Sequence, residues 1–294
     1  MLMTTLNSPP LPVHRYTTEL RRETARFAEA ARTVPLTEPV PTCPGWTLGD
    51  LVRHVRQGHD WATTILATRS TEFILPGGDL AGSPDEDKSW TERVAELGAR
   101  GGAQEGRLAD PELRARFVVE GADRLVEAID GVGPEVPVWA PHGRQNKEFW
   151  PRWAVFETAV HRADVYGMAG LPFTPATEVA LDCADFCLVA FGVPEARPFL
   201  SPLFAEVPRG GQTLCFRSTR ESAYGPSSWL VTCAAGGVEV TREVAAGTRA
   251  DATVIAEPAD LLLVVKGRLR PSSPRMTVRG DRELLDFWLS HAVS

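Results

Sequence analysis

A chain of 294 residues is long enough for two domains of ordinary size, and 43% hydrophobic with 23% charged residues is the composition of a soluble globular protein. A net charge of −7 argues against a general nucleic-acid surface, and no apolar run approaches the length of a membrane span. The five cysteines (Cys43, Cys183, Cys187, Cys215, Cys233) form no C-x-x-C pair, which indicates neither a disulfide framework nor a cysteine zinc knuckle and fits a reducing, cytoplasmic setting.

Residues 1–16 lack the basic start and apolar core of a signal peptide and read as a short flexible lead-in. Tyr16 to Thr33 reads as a first helix, with Leu20, Ala25, Phe27 and Ala31 on its buried side. A proline-rich irregular segment follows, and Thr47 then opens a second helix as N-cap of a capping-box variant with Asp50 at N3. That helix runs to about Thr68 and carries His54 and His59. Five residues rotate about 500°, so the two rings point roughly 140° apart and cannot both serve one ion. His54 shares its stripe with Leu51, Trp61 and Ile65, an inward-looking mixture. His59 lies near the line of Val52, Val55 and Leu66 and reads as a core or boundary histidine.

Residues 70–88 are rich in Gly, Pro and acids and read as a long loop, with a weak helix expected over 89–99. Asp110 as N-cap and Pro111 at N1 open a third clear helix to Ile129, its apolar stripe running from Leu113 through Phe117, Val118, Ala122, Leu125 and Val126. A second long loop holds His142, a further candidate ligand or catalytic group. The fourth helix, Phe149 to Gly170, carries the densest chemistry of the chain. Another helix, Thr177 to Phe191, is expected to close the N-terminal part. After Pro194, segments beginning at Gln212, Ser227, Gly237, Ala252 and Met276 read as strands, with helices over 258–265 and 281–290. The fold expected is α+β in two domains: a four-helix bundle over 1–195 and a largely antiparallel sheet with helices over 196–294.

In the fourth helix Glu157 and His161 lie about 40° apart and one turn of about 6 Å along the axis. Asp164 returns to the same side, and Trp150 and Trp153 flank it one and two turns earlier. Two carboxylates and an imidazole on one face bordered by large apolar rings suit a metal site inside a bundle. The Glu–His pair alone also reads as an ordinary surface pair worth a few tenths of a kcal/mol. A metal site needs a third ligand from elsewhere in the chain.

Residues 41–55 (PTCPGWTLGDLVRHV) together with 156–165 (FETAVHRADV) form a distinctive combination. The chain resembles the mycothiol-dependent maleylpyruvate isomerase family, whose N-terminal domain is a DinB-like metal-binding four-helix bundle. The likeness extends to a small C-terminal α+β domain through RADATVIAEPADLLLVVKGRLRP and VRGDRELLDFWL. The resemblance implies metal ligands at His54, Glu157 and His161, an acidic active-site residue at Asp164, and a basic substrate-binding residue at Arg268. It implies a divalent metal, zinc foremost, and mycothiol as cofactors. The expected activity is that of an isomerase or thiol transferase working through a metal-activated thiolate. The expected partners are a small organic substrate and a low-molecular-weight thiol, with no nucleic acid or membrane, in a monomer or homodimer.

Asp164 would serve as general acid/base or as an orienting group, and Arg268 would hold a substrate carboxylate bidentately. The long loops and the aromatic approach (Trp139, Phe149, Trp150, Trp153) suggest a pocket larger or more apolar than a small dicarboxylic acid requires. Two other readings stay open: a thiol-independent metal hydrolase or lyase, and a ligand-binding module with a structural metal.

Overall fold

The computed structural model describes residues 10–74, 105–141, 145–194, 196, 200–207 and 210–292. His142, the helix expected over 89–99 and the lead-in before residue 10 lie outside the described residues. The chain divides into two compact units, one spanning Asn7–Phe173 and the other holding Thr174–Ser294.

The first unit is the bundle. Its helices are α1 (Val13–Thr33), α2 (Leu48–Thr68), the short α3 (Glu105–Ala109), α4 (Pro111–Asp130) and α5 (Phe149–Ala169). α1 packs along α5 and α4, and α2 packs against α4 and α5. The caps follow the sequence chemistry. Thr47 and Asp50 form a full capping box, the Thr47 amide donating to the Asp50 carboxylate at 2.9 Å. The Asp110 carboxylate accepts from the amides of Glu112 and Leu113 at 2.8 and 2.9 Å, with Pro111 just inside the helix. α5 stops at Gly170, whose φ of +67° puts it in the left-handed region.

The core between these helices includes Phe27, Leu48, Leu51, Val52, Val118 and Val165. The first helix starts at Val13, three residues before the expected Tyr16, and its buried side also differs from expectation. Ala25 faces solvent, whereas Glu19 and Glu23 are buried. For Glu23 the cause is an ion pair that helical periodicity does not register. Glu23 meets the guanidinium of Arg162 on α5, both buried, through the Arg162 Nε and through Nη2 at 3.3 Å. The guanidinium also lies over the rings of Tyr166 and Phe173, at 4.7 and 4.4 Å from their centroids. Leu113, expected in the buried stripe of α4, is exposed in the first turn of that helix.

The second unit contains α6 (Thr177–Ala190), a 3₁₀ turn (Pro202–Glu206), β1 (Gln212–Ser218), β2 (Ser228–Ala234), β3 (Gly237–Arg242), β4 (Ala252–Ala256), α7 (Pro258–Val265), β5 (Met276–Gly280) and α8 (Arg282–Ala292). The sheet order is β3-β2-β1-β4-β5. Three pairings are antiparallel, and the β1–β4 pairing is parallel, so the sheet is mixed. The β2–β3 hairpin forms on one side of β1, and the chain then crosses to lay β4 on the other side.

The boundary between units also differs from the expected 195/196. Helix α6 packs with α7 and β2 in the second unit. Its Asp185, buried, accepts from the indole of Trp229 at 2.8 Å and from the Nε of Arg242 at 2.6 Å. Asp182 and Asp185 are buried together with the apolar residues of this helix, so its pattern does not say which core it joins. Cys183 and Cys187 on this helix are buried, as are Cys215 and Cys233.

Candidate metal centre

The site is built where α2 and α5 face each other and where the segment before α2 folds over them. That segment is tied by its own backbone: the Val40 amide donates to the Trp46 carbonyl at 2.8 Å, Cys43 to Val40 at 3.1 Å, and Trp46 to Cys43 at 3.0 Å. Gly45 at φ +85° makes the tight return possible, since that backbone region is strained for a residue with a side chain. Cys43 and Trp46 rest against the bundle core.

His54 from α2 and Glu157 and His161 from α5 converge on one point. The His54 Nε2 and the His161 Nε2 each lie 3.6 Å from the same carboxylate oxygen, Glu157 Oε2. The imidazole centroids are 4.7 Å apart with the rings nearly perpendicular. A separation of 3.6 Å is too long for a hydrogen bond. It is close to the spacing of about 3.4 Å between two ligand atoms that each sit about 2.1 Å from a tetrahedral ion. The residues present therefore fit a three-ligand cation site.

A second group, Cys43, His161 and Asp164, also gathers donor atoms within 4.8 Å of one another. Distances separate the two. The His161 Nδ1 is 2.8 Å from Asp164 Oδ2, the length of a charge-assisted hydrogen bond and shorter than two ligands of one ion sit. In this pair the Nδ1–H donates to the carboxylate, which turns Nε2 toward Glu157 and His54. Asp164 is buried, and it also accepts from the Thr42 hydroxyl at 2.6 Å and from the Cys43 thiol at 3.7 Å.

The electrostatics match this arrangement. Burial would raise the Glu157 carboxyl, but His161 and His54 outweigh it and hold it well below the usual carboxylate range. Burial lowers the His54 pKa more than Glu157 raises it, so this ring is neutral at pH 7. Burial also opposes the charged form of His161, yet the carboxylates of Asp164 and Glu157 raise its pKa above that of a free imidazole. Trp46 covers both rings, its centroid 4.9 Å from His54 and 6.4 Å from His161.

His59 stands apart from the site. It is buried, its Nε2 pairs with the Thr158 hydroxyl at 3.0 Å, and burial pushes its pKa down to about 3. The aromatic residues expected along the approach pack on one another. Trp150 is fully buried, with rings of Trp61 and Trp153 at 5.0 and 5.6 Å, and Trp139 lies 5.0 Å from Phe73. Trp153 crosses α2 at Gly58, where a Cβ would stand 3.1 Å from its ring. Arg268 belongs to the second unit, just after α7, where its Nη1 donates to the Lys266 carbonyl at 2.8 Å.

The family model described as the mycothiol maleylpyruvate isomerase N-terminal domain matches residues 17–166. The chain belongs to this family. The matched region contains His54, Glu157, His161 and Asp164 and ends before Arg268. Among solved structures the chain is similar to the crystal structure of the mycothiol-dependent maleylpyruvate isomerase, at 17% identity and a TM-score of 0.56, with 94% of this chain and 95% of that one covered. A histidine-to-alanine mutant of that enzyme matches equally, at 17% identity and a TM-score of 0.56 over 94% and 95% of the two chains. These likenesses cover both units and speak to the fold. A comparison with curated proteins finds no match. Among the described residues no helix is long and apolar enough to cross a membrane.

The residues around the candidate centre that sequence reasoning left without a role are Thr42, Cys43 and Trp46. They sit inside the PTCPGW motif, but only the fold brings them onto Asp164 and the imidazoles.

Proposed function

We propose that the chain is a metal- and mycothiol-dependent isomerase of small unsaturated organic acids, of the maleylpyruvate type, with its cation held by His54, Glu157 and His161. The observation that carries this reading is the single carboxylate oxygen placed 3.6 Å from two imidazole nitrogens. Family membership and the fold likeness support the same reaction class. When bound, a divalent ion such as zinc supplies a positive charge that lowers the pKa of a thiol at its open position, and the thiolate of mycothiol supplies the nucleophile for reversible addition to a cis double bond.

The chain's own groups prepare that chemistry. Glu157 stays anionic and His54 stays neutral, so neither must lose a proton before binding a cation. His161 keeps its proton on Nδ1 against Asp164. We therefore assign Asp164 an orienting role rather than that of an acid or base, because its buried carboxylate is already engaged by Thr42, Cys43 and His161. The Trp46 ring lies beside both imidazoles. Arg268 is the proposed holder of a substrate carboxylate, through its paired N–H donors.

The test is elemental analysis together with maleylpyruvate isomerisation, with and without mycothiol, on wild type and His161→Ala. The expected result is one equivalent of divalent ion in the wild type, its loss in the variant, and activity that requires both ion and thiol. Turnover that survives complete chelation would refute the reading. Turnover of a substrate in thiol-free buffer would move the assignment to a hydrolase or lyase.

A further inference from the structure

We propose that Thr42 is a positioning residue for the cation site: through Asp164, its hydroxyl fixes the tautomer and heading of the His161 ring and so sets the affinity for the ion. The inference rests on the metal reading above and concerns a residue outside the ligand set.

The Asp164 carboxylate has two oxygens with separate duties. Oδ1 accepts from Thr42 at 2.6 Å, and Oδ2 accepts from His161 Nδ1 at 2.8 Å, with the Cys43 thiol at 3.7 Å on the same oxygen. His161 and Asp164 are three apart on one helix, a spacing that brings them near but does not by itself fix the rotation of the carboxylate. The donor that holds the other oxygen comes from a different part of the chain, 122 residues away in sequence. It comes from a segment with little freedom of its own. Residues 40–46 are closed by three backbone hydrogen bonds, Pro39 and Thr47 bridge its ends, and Cys43 and Trp46 are packed on the core.

The physical consequence is directional. A carboxylate that accepts the Nδ1 proton forces the Nε2 lone pair outward and makes that nitrogen a better ligand. His54 has no equivalent partner: its Nδ1 is buried without a hydrogen bond among the described residues. The orientation of the triad therefore depends on the His161 side, and the His161 side depends on Asp164 being held. Removing the Thr42 hydroxyl takes one donor from a buried carboxylate oxygen and weakens the hold on its heading toward His161. Loss of such outer partners typically weakens metal binding about 10- to 100-fold.

The experiment is zinc affinity by competition with a chromophoric chelator, on wild type, Thr42→Val and Thr42→Ser, with the stability of each metal-free protein measured alongside. Valine keeps the shape and removes the hydroxyl; serine keeps the hydroxyl. The expected result is a Kd about 10- to 100-fold higher for Thr42→Val and near wild type for Thr42→Ser. A Thr42→Val protein that binds as tightly as wild type, or a Thr42→Ser protein as weak as Thr42→Val, would overturn the inference while leaving the metal reading intact. A wild type that binds no ion would overturn both. Should Thr42→Val not fold, Thr42→Ala replaces it, read by the ¹⁵N shifts of His161 in the metal-free proteins at mildly alkaline pH: a loss of the Nδ1-protonated tautomer in the variant is expected, and an unchanged tautomer would overturn the proposal.

Discussion

His59 offers a quantitative test of how this bundle treats a buried imidazole. Its ring is 2% exposed, its Nε2 pairs with Thr158, and its pKa falls from 6.5 to about 3 because burial disfavours the charged form, with Arg56 adding to the shift. The sign follows from proton linkage. Above the unfolded pKa both states are neutral, so the ring contributes no pH dependence there. Below it the unfolded chain takes up a proton that the folded chain refuses, and stability falls until the folded pKa is reached. From pH 7 to pH 5 the loss is close to 2 kcal/mol, obtained from about 0.2 at pH 7 and about 2 at pH 5. At pH 5 the result hardly depends on the folded value as long as it lies below about 4.

The assay is urea unfolding of wild type and His59→Gln in chelator, followed by tryptophan fluorescence. Glutamine is neutral throughout and can still meet Thr158. The stability difference between the two proteins should shift by about 2 kcal/mol in favour of the variant between pH 7 and pH 5. Parallel pH profiles would refute the reasoning and mean that His59 is protonated in the folded bundle.

Two other substitutions test the packing that frames the site. Glu23→Ala would leave the Arg162 guanidinium buried without its carboxylate, and should cost about 3 to 5 kcal/mol in urea unfolding of the bundle; a loss under about 1 kcal/mol would show that the pair is dispensable. Gly280→Ala would place a Cβ 2.1 Å from the Asp251 carbonyl oxygen, at a backbone φ of +81°. It should lower the unfolding midpoint of the second unit and leave zinc affinity unchanged, and an unaltered midpoint would count against the close approach of β4 and β5.

Much of the architecture was legible along the chain. The capping box at Thr47 and Asp50, the Asp110–Pro111 start, the stop at Gly170 and the five strands are local signals, each set by a few neighbouring residues. Glu157, His161 and Asp164 could be placed on one face because helical geometry is fixed. By itself, periodicity left His54 only as an inward-looking candidate, and it was the family resemblance that named it a ligand. Other features depended on which elements meet. The Glu23–Arg162 pair joins residues 139 apart in sequence, and no stripe on α1 could announce it, because a paired buried glutamate looks like any solvated one. Helix α6 buries Asp182 and Asp185 among its apolar residues, so only packing could assign it to the second unit. The parallel β1–β4 pairing required the order of strands across the sheet. In the same way, the partners of Asp164 were visible as residues but not as neighbours. Hydrogen bonds act over about 3 Å, and only the fold brings Thr42 within that distance of a helix more than a hundred residues away.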